Sequence, residues 1–239
     1  MFAGEHRIRR AQVGRLERTH LSKEEIENSL LSLMLGDDAF QPALKIKQVQ
    51  LQPGPMVVDQ RGVDSWAFFP VDALITVGAE SPSLAAMALV GRHGCVLWPQ
   101  AGDSAMHVHV MAPGRAYRVD WTAVRNDPTR YAKWLWHAAA ATQGLIQQMA
   151  QWSFCVQHHT PVQRLASWLL HCWAQSPQFQ LQRHAMPSAM RQCLEALPSE
   201  AFHAQSQSNL QAREEFLPAV VPQRLQALAC TCHQKIALR

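Results

Sequence analysis

Apolar and polar positions follow a short-strand rhythm over residues 44–122, and the rhythm turns helical after Pro128. Runs of β character cover Lys45–Leu51, Met56–Asp59, Ala73–Val77, Ala85–Val90, Met106–Met111 and Ala116–Trp121. Turn signals separate them: Pro53-Gly54-Pro55, Arg61-Gly62, Ser81-Pro82, Arg92-His93-Gly94, Ala101-Gly102-Asp103 and Pro113-Gly114. Short strands at this spacing predict a small antiparallel sandwich or jelly roll. Ahead of them, residues 23–35 read as a helix, with Ser22 as its N-cap and Glu25 as the capping-box partner.

From 128 to 152 the period is that of a helix opened by Pro128, a residue suited to a first turn. Tyr131, Leu135, Ala138, Thr142, Leu145, Met149 and Trp152 recur in steps of four and three. Such a heptad seam lets two long helices pack along their length, with Ala138 and Thr142 small enough for close approach. The expectation is a homodimer zipped through Leu135, Ala138, Thr142, Leu145 and Met149; the alternative is a helix lying on its own core. Pro161–Trp173 reads as a second strong helix, with Leu165, Trp168, Leu169 and Cys172 on one side. Residues 174–239 are rich in Gln and Ala and much less periodic.

Composition narrows the class. Of the 239 residues, 48% are hydrophobic and 17% charged, so the chain can bury a core and is no disordered tail. Its apolar runs fall well short of the ~18–20 residues that span a bilayer. The first twenty residues hold five Arg and two Glu without an apolar stretch, unlike a secretory signal. The six cysteines, at 95, 155, 172, 193, 230 and 232, make no disulfide framework. A cytoplasmic protein without a membrane partner is expected. The net charge of +4 permits a polyanionic partner without demanding one.

The order of elements resembles the Crp/Fnr family of bacterial transcription regulators. The likeness is carried by Asn28-Ser-Leu-Leu-Ser-Leu, Leu51-Gln-Pro-Gly54, Gln60-Arg-Gly62, Ala67-Phe-Phe-Pro70 with Leu74-Ile-Thr, Val90-Gly-Arg-His-Gly94 and Arg164-Leu-Ala-Ser-Trp-Leu-Leu170. At the far end, Ala-Cys-Thr-Cys-His, closing Leu225–His233, resembles an Ala-Cys-x-Cys-Tyr ending in one branch of the family. The resemblance implies an α+β chain. It would comprise a basic arm (1–22), a cyclic-nucleotide-binding-like jelly roll (23–127), a dimerisation helix (128–153) and a degenerate winged helix-turn-helix (154–239). It implies DNA, a second copy of the chain and an unidentified small-molecule effector as partners.

Two departures from the family pattern shape the expected function. The stretch Gly94–His107, where relatives hold cyclic AMP, has no Glu or Arg and carries Asp103 near the expected phosphate, so cyclic AMP binding is not expected. Trp98 and Met106 are candidates to fill that pocket. In the helix-turn-helix stretch, Met186, Leu194, Leu197 and Phe202 sit at core positions, but Arg191 replaces an apolar residue and Ala196 the turn glycine. Ser199, Glu200 and His203 are the candidate DNA-reading residues. Ser199 and Ala204 stand where the family has arginines. Residues 182–239 carry six basic side chains against four acidic ones, thin for a DNA reader. The alternative is a dimeric sensor or scaffold that has lost sequence-specific DNA binding.

No enzyme, cofactor or metal centre is expected. His107 and His109 share one strand face, as in metal-binding cupins, but the acidic residue of that motif is missing. His158-His159 and Cys230-x-Cys232-His233 have zinc-ligand character without a second pair at ligand spacing. Cys155, Cys172 and Cys193 read as small core residues. The basic arm, with Arg7, Arg9, Arg10, Arg15 and Arg18, reads as a solvated end able to add phosphate contacts.

Overall fold

The computed structural model describes residues 13–15, 25–40, 44–56, 66–79, 88–98, 106–203 and 215–236. Ser22, most of the basic arm, residues 57–59 and 85–87, Asp103 and Ala204 lie outside them, as do the expectations placed there. The fold is mixed, with two antiparallel sheets and helices on their outer sides. Strands β1 (Val13–Arg15), β2 (Ile46–Leu51), β9 (Gly114–Asp120), β4 (Trp66–Pro70) and β7 (Val96–Trp98) lie side by side in that order. The second sheet orders β3 (Gly54–Pro55), β8 (Met106–Ala112), β5 (Leu74–Ala79) and β6 (Ala88–Val90).

The side-chain period of two sorts these strands between layers. Val49, Leu51, Phe68, Val96 and Ala116 of the first sheet pack with Ile75, Val77, Val90, Val108 and Val110 of the second. The alternate residues Ile46, Ala67, Phe69, Tyr117 and Val119 face the other way, toward Leu30, Leu31, Met34 and Trp134 on helices. Strand β4 is thus covered on both faces. That explains why Trp66-Ala-Phe-Phe-Pro70 is an unbroken apolar run rather than an alternating one.

Helix α1 spans Ser29–Leu35, shorter than the expected helix over 23–35. Its N-cap is the fully buried Asn28, not Ser22. The Asn28 Oδ1 accepts from Leu31 N at 3.0 Å. The same amide donates from Nδ2 to Pro70 O (2.8 Å) and Gly94 O (3.0 Å). Glu25 precedes the helix, so it closes no capping box there. A cap that also satisfies two strand-end carbonyls outweighs one that faces solvent.

After α2 (Thr122–Arg125), Asp127 caps the 31-residue helix α3 (Pro128–His158), accepting at Oδ1 from Thr129 N and Arg130 N. At 1.5 Å per residue it is about 46 Å long. Trp134 buries its ring edge-on to Trp121 at 4.4 Å between centroids, under the first sheet. Farther along, Leu145 packs against the inter-sheet core, and Trp152 and Cys155 enter the C-terminal core. Helix α4 (Pro161–Gln175) follows after a single corner, capped by Thr160 with Gln163 as a complete capping box. The eight consecutive residues Leu165–Cys172 are all buried, so the helix is covered nearly all round there and not along one stripe.

The C-terminal residues wrap α4 with α5 (Ser188–Arg191), α6 (Pro222–Leu228), α7 (Cys232–Ile236) and several 3-10 turns. Two single bridges, Gln182↔Phe216 and Phe202↔Val220, tie the wrapping segments together. Met186, Met190, Leu197, Leu217 and Leu225 share one core with Leu74, Leu89, Met111 and Ala112 of the second sheet. Among the described residues, no helix is long and apolar enough to cross a membrane.

Candidate functional site

The corner between α3 and α4 is the most chemically loaded place in the molecule. Cys155 and His159 lie four apart at the end of α3, so both side chains leave the same face. His159 is the helix C-cap, and Thr160-Pro161 restarts the chain as α4 in a new direction. From the other side, Cys230 and Cys232 flank Thr231 at the start of α7. Cys155 Sγ lies 3.9 Å from Cys230 Sγ, and His159 Nε2 lies 3.3 Å from Cys232 Sγ. All four donor atoms lie within 4.8 Å of one another; the three cysteines are buried and His159 is half-buried.

A third element supports the cluster. Ser167, fully buried on α4, accepts at Oγ from Cys230 N at 3.1 Å, and its hydroxyl also lies 3.1 Å from Cys230 Sγ. A hydroxyl oxygen has two lone pairs and one proton, so Ser167 Oγ can accept the amide and still share a hydrogen bond with the sulfur, in which either partner can donate. Burial pushes the Cys155 thiol well above its ordinary value, and the neighbouring Cys230 adds to the rise. Burial also raises Cys232. Burial works in the same sense on Cys230, but hydrogen bonds from the Ser167 hydroxyl and the Cys232 backbone outweigh it and hold that thiol low. Three thiols and an imidazole converging on one point form a donor set for a thiophilic cation.

The cluster differs from the pairings visible in the sequence. His233 turns away, its Nδ1 donating to Cys230 O at 2.6 Å, and so braces the turn instead of joining the donors. His158 is exposed and lies against Phe154, with ring centroids 4.4 Å apart. Cys155 is buried as expected of a core residue, yet its sulfur is a member of the cluster. Cys172 and Cys193 are in the C-terminal core away from it. The signal available in the sequence was Cys155-x-x-x-His159 on a helix, which becomes meaningful only when the fold brings the 230–232 segment beside it.

A second junction lies nearby. Gln148 on α3, 1% exposed, accepts from Leu89 N and donates from Nε2 to Leu89 O at 3.2 Å. It lies 2.9 Å from His171 Nε2 on α4. Burial depresses His171 to about 4, so the ring is neutral. Just beyond, Gly91 meets the last residue of α4. A Cβ built there would stand 2.7 Å from Gln175 Cβ. The sheet edge, α3 and α4 therefore meet without a spacer.

The candidate DNA-reading residues fall on thin structure. Ser199 and Glu200 are exposed on a single 3-10 turn, Ser199–Ala201, and His203 is exposed after it. Phe202 is already bridged to Val220, and Val221 N donates to Ala201 O at 2.9 Å, so the chain cannot continue as a helix there. Within residues 188–203 the chain makes one helical turn and two 3-10 turns, so among the described residues the second helix implied by the resemblance is not formed.

The seam residues divide. Leu135 is 50% exposed and Thr142 is exposed, but Ala138 packs on the first sheet's helical layer and Leu145 on the inter-sheet core. Met149 is half-buried. The outward apolar residues are Tyr131, Leu135, Trp136, Ile146 and Phe154; Trp136 and Phe154, eighteen residues or five turns apart, share one edge of that surface. A strict heptad drifts about 20° per repeat on a straight helix. Over three repeats the predicted line rotates from the open side at Tyr131 into the protein's own core at Trp152. Ile146, one position on from Leu145, takes the outward place. Elsewhere, His107 is exposed and His109 half-buried on β8, and Trp98 and Met106 end β7 and open β8 respectively. No protein-family model matches the chain, and no curated protein matches it significantly.

Proposed function

We propose that this chain is a transcription regulator of the Crp/Fnr type, acting as a cytoplasmic homodimer without enzymatic activity. Its jelly-roll half would sense an effector other than cyclic AMP, and its C-terminal half, a reduced winged helix-turn-helix, would meet DNA. The observation that carries this reading is helix α3. It touches the layer under the first sheet, the inter-sheet core and the C-terminal core in turn, while Tyr131, Leu135, Ile146 and Phe154 remain outward for a second copy. A helix seated on a sensor at one end and on a reader at the other converts a small change at its base into a different spacing of the two readers. The equilibrium between the two spacings is what an effector would shift.

A second reading is favoured by the single 3-10 turn at Ser199–Ala201: a dimeric sensor or scaffold of the same architecture that no longer reads sequence. Without a helix end to enter the major groove, direct base contacts are few. Selection from random oligonucleotides at physiological salt decides between the two. Enrichment of paired half-sites about one helical turn apart supports the regulator, and Glu200→Ala should then change base preference more than affinity. A stable dimer that enriches no sequence supports the scaffold.

A further inference from the structure

We propose that Cys155, His159, Cys230 and Cys232 bind a zinc ion in a closed, four-ligand site that clasps the C-terminal segment to the corner of α3 and α4. This stands on the donor geometry and is independent of whether the protein reads DNA. Zinc takes thiolate sulfur at about 2.3 Å and imidazole nitrogen at about 2.0–2.1 Å in a tetrahedron. Those bond lengths place neighbouring sulfurs about 3.8 Å apart and a sulfur–nitrogen pair about 3.5 Å apart. The protein holds Cys155 and Cys230 sulfurs at 3.9 Å and the His159–Cys232 pair at 3.3 Å, with every donor within 4.8 Å of the rest. Two of the six edges thus match a zinc tetrahedron, and the other four need close by no more than about 1 Å.

The surroundings fit a closed site. Ser167 meets both the backbone and the sulfur of Cys230, the kind of outer hydrogen bond that orients a metal-bound thiolate. His233 locks the turn between the two C-terminal cysteines through the Cys230 carbonyl. Cys155, Cys230 and Cys232 are all buried, which leaves no open position for a substrate and points to structure rather than catalysis. On binding, the three thiols release their protons and the imidazole binds in its neutral form. Three thiolates and one divalent ion leave a net charge of −1.

The clasp joins positions far apart in the chain. Cys155 and Cys230 are 75 residues apart, and the metal would close that loop. The end of the chain already packs on the core through Leu225, Cys230 and Cys232, and Cys230 N is bonded to Ser167 Oγ. The ion would add a cross-link from these two short helices to the end of α3.

The test uses the full chain purified under reducing conditions. Atomic emission should find one zinc per chain surviving gel filtration. Cobalt titrated into chelator-stripped protein should give the intense visible bands of a tetrahedral ion, with thiolate charge-transfer absorption for three sulfurs. His159→Ala and Cys232→Ser should each weaken zinc binding at least about tenfold, whereas His158→Ala and Cys95→Ser should retain it. Wild-type protein without stoichiometric zinc and without the cobalt spectrum overturns the proposal. So does zinc kept in full by both ligand variants, or a thiol count that falls by two as Cys155 and Cys230 form a disulfide without metal. Should a variant fail to fold, the wild-type cobalt and zinc titrations still decide.

Discussion

Asn28 concentrates three separate obligations in one side chain. It caps α1 through Leu31 N and holds the buried carbonyl of Pro70 and the half-buried carbonyl of Gly94. Replacing it with alanine removes the cap and leaves one buried and one half-buried acceptor without this partner, penalties of order 1 kcal/mol each. Asn28→Ala should therefore cost about 3 kcal/mol, read as a lower urea midpoint with an unchanged denaturant slope. Surface ion pairs carry far less. Arg115 reaches Glu27 and Asp72, but all three side chains are well exposed, so their removal should barely register.

Among the elements, α3 is the one whose pattern is legible and whose orientation is not. Pro128 and the apolar period locate the helix well, although it runs on to His158. Which face is open depends on how the sheets lie beneath it, and the heptad reading carried no information about that. The corrected stripe gives a sharper expectation. Leu135→Glu with Ile146→Glu should halve the mass seen in light scattering while leaving the monomer's own stability nearly unchanged, because both side chains are at least half exposed already. Wild-type protein that is monomeric at micromolar concentration would remove the dimer from the picture. The runs at 45–51, 73–77, 106–111 and 116–121 became β2, β5, β8 and β9, whereas β7, three residues long between two turn signals, and β1, within the stretch read as a solvated basic arm, were not read as strands. Trp66–Pro70, covered on both sides, lacks the alternation that marks a strand, and only its resemblance to a family motif pointed to it. The candidate metal donors were hidden for a different reason. Cys155 and His159 carry helix spacing, Cys230 and Cys232 carry loop spacing, and only tertiary contact makes them one set.

For the whole molecule, the apolar contact between the second sheet and the C-terminal core is joined by a buried polar link from Leu89 through Gln148 to His171. His171 is held at about 4 by burial against an ordinary 6.5, so the folded protein keeps it neutral where the unfolded chain would take up a proton. The unfolded state thus binds more protons between those limits, and stability falls as the pH drops from about 6.5 to about 4. The loss from this ring alone approaches about 3 kcal/mol at the low end. Urea midpoints measured across that range for the wild type and His171→Gln should converge toward acid. Parallel curves would mean that the ring is not neutral in the fold.

Gly91 sits a few residues from this contact and carries no side chain to bind anything, yet Gln175 leaves it no space for even a methyl group. In a mutational scan it would score as intolerant as any ligand. Its intolerance would measure clearance between two halves pressed together, so genetic essentiality at that position would carry no message about chemistry.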